Sequence, residues 1–326
     1  MKKLIVALAV LTVVFVLVAL QMQDNNRVAD LQSRPLLSDD QKTALADVDR
    51  VTVARDDQVV ELVRQDGTWG VANHDMYPVQ RQRMAALLHA VRGARVIEEY
   101  TADPAHHARL GLAPQAEGAS TLSVGLQAGE QQLGVLYGNA VGSGQLVRFE
   151  DQNQVWMIDR PLSMSVNSLD WLALDIIAMP MEGVASARWE HADGEVLELG
   201  KAEQGDYNLR LVDLDPSFQA GNERWINGMV LALINLRAQN VALRSSLDLA
   251  EPILRMQVTT WDDARLEASL HDVGGKYWLV IDDFQQPEDG TLGVNDDPRW
   301  AFQLGIGQIE NLIKRRSDIV RAPEEA

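Results

Sequence analysis

The strongest constraint on how this 326-residue chain can fold is an order of strand-like and helix-like segments that runs through it twice. Val51-Thr-Val53, Val59 to Val63, the Asp66-Gly67 turn and Trp69-Gly-Val71 alternate like a three-stranded meander. Val184 to Trp189, Val196 to Leu199, Gly205-Asp206 and Tyr207 to Leu211 do the same. Each meander is followed by one helical stripe, Met84, Leu87, Leu88 and Val91 in the first half and Ile226, Met229, Val230, Leu233 and Ile234 in the second. Hairpin patterns come next, Thr121 to Leu126 with Gln132 to Tyr137, and Leu254 to Trp261 with Arg265 to Leu270. Aromatic strands then match Val155-Trp-Met-Ile-Asp159 to Tyr277-Trp-Leu-Val-Ile-Asp282. Last, Leu162, Val166, Leu169 and Leu172 read as a helical stripe that corresponds to Phe302, Ile306, Ile309 and Leu312.

A meander, a hairpin and two amphipathic helices per unit predict an α+β fold in which helices cover a sheet face. The predicted organisation is an N-terminal transmembrane anchor at residues 1–20, a polar tether at 21–47, a first repeat at 48–179 and a second at 184–318. Within the tether, only Leu36-Leu37 reads as a docking point.

The anchor is read from Lys2-Lys3 followed by Leu4 to Leu20, in which Thr12 is the only non-apolar residue. As a helix this run is about 25 Å long against a hydrocarbon core of roughly 30 Å, within the tolerated range. A cleaved signal peptide is the rival reading. Its apolar region is usually shorter, and a cut after Ala19 would leave bulky Leu17 three residues before it. No cysteine is present to carry a lipoprotein anchor. The first basic residue beyond the run is Arg27, so the charge asymmetry places the N-terminus inside and the bulk of the chain in the periplasm.

Charge and composition narrow the function. The chain has 29 Lys and Arg against 47 Asp and Glu, a net −18, and −20 once Lys2 and Lys3 are set aside. Such a surface repels phosphate backbones, so no nucleic-acid partner is expected. The absence of cysteine excludes disulfides, thiolate nucleophiles and cysteine-based metal centres.

No catalytic, cofactor-binding or metal-binding residues are assigned. Gly138 to Gly144 is glycine-rich but runs into the strand-like Gln145 to Phe149 and lacks the lysine and helix of a phosphate loop, so it reads as a hairpin turn. Gly305-Ile-Gly307 meets Glu310 where a dinucleotide fingerprint needs glycine. His106-His107 sits in a segment that Asp103 caps, Pro104 starts and Gly111 ends, a predicted two-turn helix from which adjacent rings diverge. His74, His89, His191 and His271 are isolated in the sequence. The acidic stretch Asp282-Asp283, Glu288-Asp289 and Asn295-Asp-Asp297 has no EF-hand spacing and reads as a solvated loop. Eight tryptophans could form a glycan platform, although Trp156 and Trp278 lie in apolar strands and are read as core.

Arg34-Pro-Leu-Leu37, Val48 to Val53, Asp66-Gly-Thr-Trp69, Tyr77-Pro-Val79, Arg109-Leu-Gly-Leu112 and Asn311 to Asp318 together resemble the domain of unknown function 4340 family. The resemblance implies a membrane-anchored protein, some members being encoded beside ABC transporters of the gliding-motility auxiliary type, and it brings no catalytic residues. The resulting expectation is a non-enzymatic accessory or scaffold protein that needs no cofactor and binds an inner-membrane protein such as ABC transporter subunits. The alternative is an envelope ligand-binding module, for glycan or calcium, with a hydrolase behind it.

Overall fold

The computed structural model describes residues 33–321 apart from 119, 213, 215–218 and 221–222. The predicted anchor and the start of the tether lie outside the described residues. Among those described, no helix is long and apolar enough to cross a membrane.

Up to residue 166 the elements are β1 (Arg34–Pro35), α1 (Asp39–Ala44), β2 (Arg50–Arg55), β3 (Gln58–Gln65), β4 (Thr68–Val71), β5 (Tyr77–Pro78), α2 (Arg81–Gly93), β6 (Arg95–Glu99), β7 (Leu122–Ala128), β8 (Gln131–Val141), β9 (Gly144–Phe149) and β10 (Trp156–Ile158). Then come β11 (Ile177–Ala178), β12 (Val184–His191), β13 (Val196–Gly200), β14 (Arg210–Leu211), β15 (Gln219–Ala220), α3 (Glu223–Ile234), β16 (Asn240–Leu243), β17 (Leu254–Thr260), β18 (Arg265–Val273), β19 (Lys276–Gln285), β20 (Gly293–Val294), β21 (Trp300–Gln303), α4 (Ile306–Leu312), α5 (Arg316–Ile319) and β22 (Val320–Arg321). The fold is α+β with antiparallel sheets and few helices. Compactness divides the chain at residues 59, 84 and 166, whereas the repeat boundaries near 179 and 184 follow sequence pattern.

One compact unit takes the described residues up to Val59 together with Ala85–Val166. Its strands run β1-β6-β10-β9-β8-β7-β2. Alternation in each strand sends Val53, Val124, Val135 and Phe149 to one face, where they stand in cross-strand register and are buried. On the other face Leu136 and Leu146 form a smaller core with Leu112 and Val155. The helix α2 buries Leu87 and Val91 completely. The Leu36-Leu37 docking point is larger than its two residues. β1 pairs with β6, Ser38 and Gln41 make reciprocal caps on α1 at 3.2 and 2.9 Å, and Leu36, Leu37 and Leu45 are all buried.

The other unit takes Val60–Met84 and the described residues from Asn167 onward. Its eight-stranded sheet has the order β14-β13-β12-β17-β18-β19-β21-β16, and β4 pairs with β3 and β5. Tyr77, on β5, is a fully buried centre of this unit: its ring meets Trp300 edge-on at 5.0 Å between centroids and Phe302 at 6.5 Å. Its hydroxyl donates to the Ala173 carbonyl at 2.9 Å and accepts from Asn295 Nδ2 at 3.0 Å. Burial raises the pKa of this phenol above its ordinary range.

Read separately, the sheets contain the same run of six strands, β2-β7-β8-β9-β10-β6 in one and β12-β17-β18-β19-β21-β16 in the other. Two expectations differ from the structure. In these orders β10, which holds Trp156, takes the position that β21 takes in the other sheet, while the Trp278 strand β19 takes the position of β9. The stripe Leu162 to Leu172 is no α-helix but an extended segment with one 3-10 turn at Ser168–Trp171, because Ser163, Ser165, Asn167 and Ser168 compete for the backbone. Asn167 Oδ1 accepts from Leu169 N at 3.1 Å and starts that turn. In the matching stretch, Phe302 lies in β21 and only residues 306–312 are helical.

Candidate functional site

The segment Asp103 to Gly111 starts as expected, with the Asp103 carboxylate accepting from Ala105 N at 3.0 Å and Gly111 at φ +71°. Its regular part is a single 3-10 turn, Pro104–His106, and not two α-helical turns. His107 is buried, with Nε2 2.9 Å from the Asn153 carbonyl, while His106 stays at the surface 4.0 Å from Asp103. Three of the other four histidines, His74, His191 and His271, have partners remote in sequence: His74 meets Ser168 Oγ at 2.8 Å and His191 the Lys314 carbonyl at 3.1 Å. His271 lies between the Ala250 carbonyl at 2.7 Å and Ser269 Oγ at 3.1 Å. Burial lowers the pKa of His74, with Asp75 opposing.

In the acidic stretch, Asn295 serves Tyr77, and Asp297 is bound by Arg299 Nε at 3.0 Å and Trp300 Nε1 at 3.2 Å. The Arg299 bond holds the Asp297 carboxyl below its usual range. Among the described residues, no three His, Asp or Glu side chains converge with metal-binding geometry. Gly138 to Gly144 spans the β8–β9 hairpin, in which Val141 faces Gly144 and Gly142 takes φ +58°. Gly305 is the N-cap of α4. Trp156 and Trp278 are buried.

The first unit has an open depression of about 540 Å3 whose floor is Thr52, Gly125 and Gly134 in register across β2, β7 and β8. The Glu150 carboxylate lines it, 2.3 Å from where a Cβ on Gly134 would stand, so a side chain at that position would displace Glu150.

A different recess, of about 730 Å3, opens in the second unit between α3, the segment before β14 and α4. The helix α3 is amphipathic and puts Ile226, Met229, Val230, Leu233 and Ile234 into the core. Trp225 falls off that stripe and is 43% exposed, the only exposed tryptophan of the eight. Tyr207 stands at the same recess, 49% exposed. Between them Asn227, only 6% exposed, is fixed at both ends of its amide. Its Oδ1 accepts from Leu209 N at 3.0 Å, and its Nδ2 donates to Asn208 Oδ1 at 2.6 Å. Gly228 leaves the α3 wall without a side chain. Asn311 Nδ2 donates to Gly307 O at 2.9 Å, which turns its carbonyl oxygen to within 3.6 Å of where a Gly228 Cβ would be.

The rim of the recess is braced. Lys314 Nζ lies 4.9 Å above the Trp225 ring, and the Lys314 carbonyl is held by His191. Next to it Arg315 donates to Asp193 at 2.7 Å and Glu195 at 2.9 Å, bonds that raise the guanidinium pKa. Trp189 Nε1 donates to the Leu312 carbonyl at 3.1 Å. The recess thus presents two exposed aromatic rings beside amides whose orientation is set by their own hydrogen bonds. Sequence reasoning placed no site here, although a tryptophan adjoining but outside an apolar stripe was a legible sign of exposure.

No curated protein and no solved structure matches the chain. The family model described as a domain of unknown function (DUF4340) matches residues 69–253, which include most of the recess but not Asn311 or Lys314. With more than half of its length so matched, the chain belongs to the DUF4340 family.

Proposed function

We propose that this protein is an accessory or scaffold component of an ABC-type transport system, anchored in the inner membrane by one uncleaved helix, with the rest of the chain in the periplasm. The observation that carries this reading is Lys2-Lys3 directly before the apolar run Leu4 to Leu20. An anchor confines the acidic region to the membrane surface, where tethering raises the effective concentration of a weak interface with another membrane protein. The resemblance to membrane-anchored proteins encoded beside ABC transporters supports the choice of partner. The six-strand order common to the two sheets supports descent of the two units from a duplicated ancestor.

The test joins topology to association. A reporter that works only outside the cytoplasm, fused after Ala326, is active, and the protein purified from its own membrane retains Lys2 and brings transporter subunits with it. Replacing Leu4 to Leu20 by an unrelated spanning helix weakens that association, because van der Waals packing and a Thr12 hydrogen bond between helices are lost. Cytoplasmic reporter activity, or repeated recovery of the protein alone, sinks the proposal. A second reading, an envelope ligand-binding module, is favoured by the recess at Tyr207 and Trp225.

A further inference from the structure

We infer that the recess bounded by Tyr207 and Trp225 is a binding site for a short neutral saccharide, an inference that rests on the ligand-binding reading and not on the transporter role. The chemistry of a sugar ring matches what the recess offers. One side of a hexose is a patch of C–H groups that stacks on an aromatic ring, and its edge is a row of hydroxyls that both donate and accept hydrogen bonds. Trp225 and Tyr207 supply rings that remain 43% and 49% exposed, although large aromatics are ordinarily withdrawn from water. Because Lys314 covers one face of the indole, the exposed remainder is available for stacking.

The polar groups are fixed in advance. Asn227 is buried, and both ends of its amide are engaged by the backbone of Leu209 and by Asn208, so its orientation is set before any ligand arrives. Asn311 is turned by its bond to Gly307, and its acceptor faces the bare Gly228 segment of α3. A side chain at Gly228 would stand in the space a ring needs to reach that acceptor. The volume of about 730 Å3 lies within the roughly 300–1,000 Å3 of small-ligand sites.

The ligand is neutral because the local cations are already engaged. Lys314 sits on the indole, Arg315 is shared by Asp193 and Glu195, and Arg224 has a partner of its own. The net charge of −18 further disfavours a polyanionic glycan.

The experiment uses the full-length protein in a polyoxyethylene detergent, since a maltoside headgroup would itself be a candidate ligand. Maltotriose and chitotriose are titrated separately by calorimetry and by intrinsic fluorescence, where Trp225 is the exposed reporter. At least one trisaccharide is expected to bind and to shift the emission to shorter wavelength. Trp225→Ala weakens that binding by about tenfold or more, while Trp225→Tyr, which keeps a ring, retains it within a few-fold. Gly228→Leu blocks it, with the circular dichroism of each variant confirming that it is folded. Tyr100→Ala, at an exposed tyrosine in the other unit, leaves it unchanged. Binding of neither trisaccharide, or binding undiminished in Trp225→Ala, overturns the inference. Either result leaves co-purification of a membrane partner unaffected, so failure of one proposal is distinguishable from failure of the other.

Discussion

His74 is the clearest case of a single residue whose surroundings make a measurable demand. Burial disfavours its charged form more than Asp75 supports it, so its pKa in the folded protein lies below 6.5. The unfolded chain therefore binds the proton more readily, and the sign follows: this contribution to stability is present above pH 6.5 and is lost as the pH falls through the folded-state value. In urea unfolding between pH 7.5 and 5, His74→Gln should lose less stability than the parent protein. An identical slope for the two would place the acid sensitivity elsewhere. In the sequence His74 stands alone, since Ser168, the hydroxyl it meets, is 94 positions away. His191 finds its partner 123 positions away, at Lys314. Local pattern carries no signal for contacts of that range, whereas the exposure of Trp225 was legible because an amphipathic stripe specifies which positions lie outside it.

Among the elements, the amphipathic helices were the most legible. The stripes Met84 to Val91 and Ile226 to Ile234 coincide with α2 and α3, because burying one face of a helix imposes a 3.6-residue period on the sequence. Leu87 and Val230 are each 0% exposed. Leu87→Asp and Val230→Asp should each destabilise by about 3–5 kcal/mol, as a carboxylate takes a place with no partner for its charge, read as the shift in chemical denaturation midpoint. A loss below about 1 kcal/mol in both would contradict the core these helices are seen to build. Strand correspondence was less legible. β9, β10, β19 and β21 each hold only a few consecutive apolar residues, so aromatic pattern matched β10 to β19 while position in the sheet matches it to β21. Which strands become neighbours is decided by contacts remote in sequence, and alternation alone does not encode them. The Leu162 to Leu172 stretch has helical spacing, yet its serines and asparagine offer the backbone other partners, and the spacing yields.

For the whole molecule, the first stretch of described chain contributes more than a tether would. Leu36, Leu37 and Leu45 are buried and Arg92 donates to the Leu45 carbonyl. A protein beginning at Ser33 should therefore be soluble and cooperative in thermal unfolding, whereas one beginning at Asp47 should melt lower by at least several degrees. Equal melting temperatures would mean that these leucines add nothing to the core. The division of the chain has a consequence in time as well. Residues 60–84 belong with residues beyond 167, and the chain between them builds the other unit. Tyr77 emerges from the ribosome long before Ala173, Asn295 and Trp300 exist. At about 5–20 residues per second, its wait for Trp300 is roughly ten to forty-five seconds. During that interval a strand and an aromatic ring destined for the interior have no completed core to enter, so the order of synthesis leaves this apolar stretch exposed until the last strands are made.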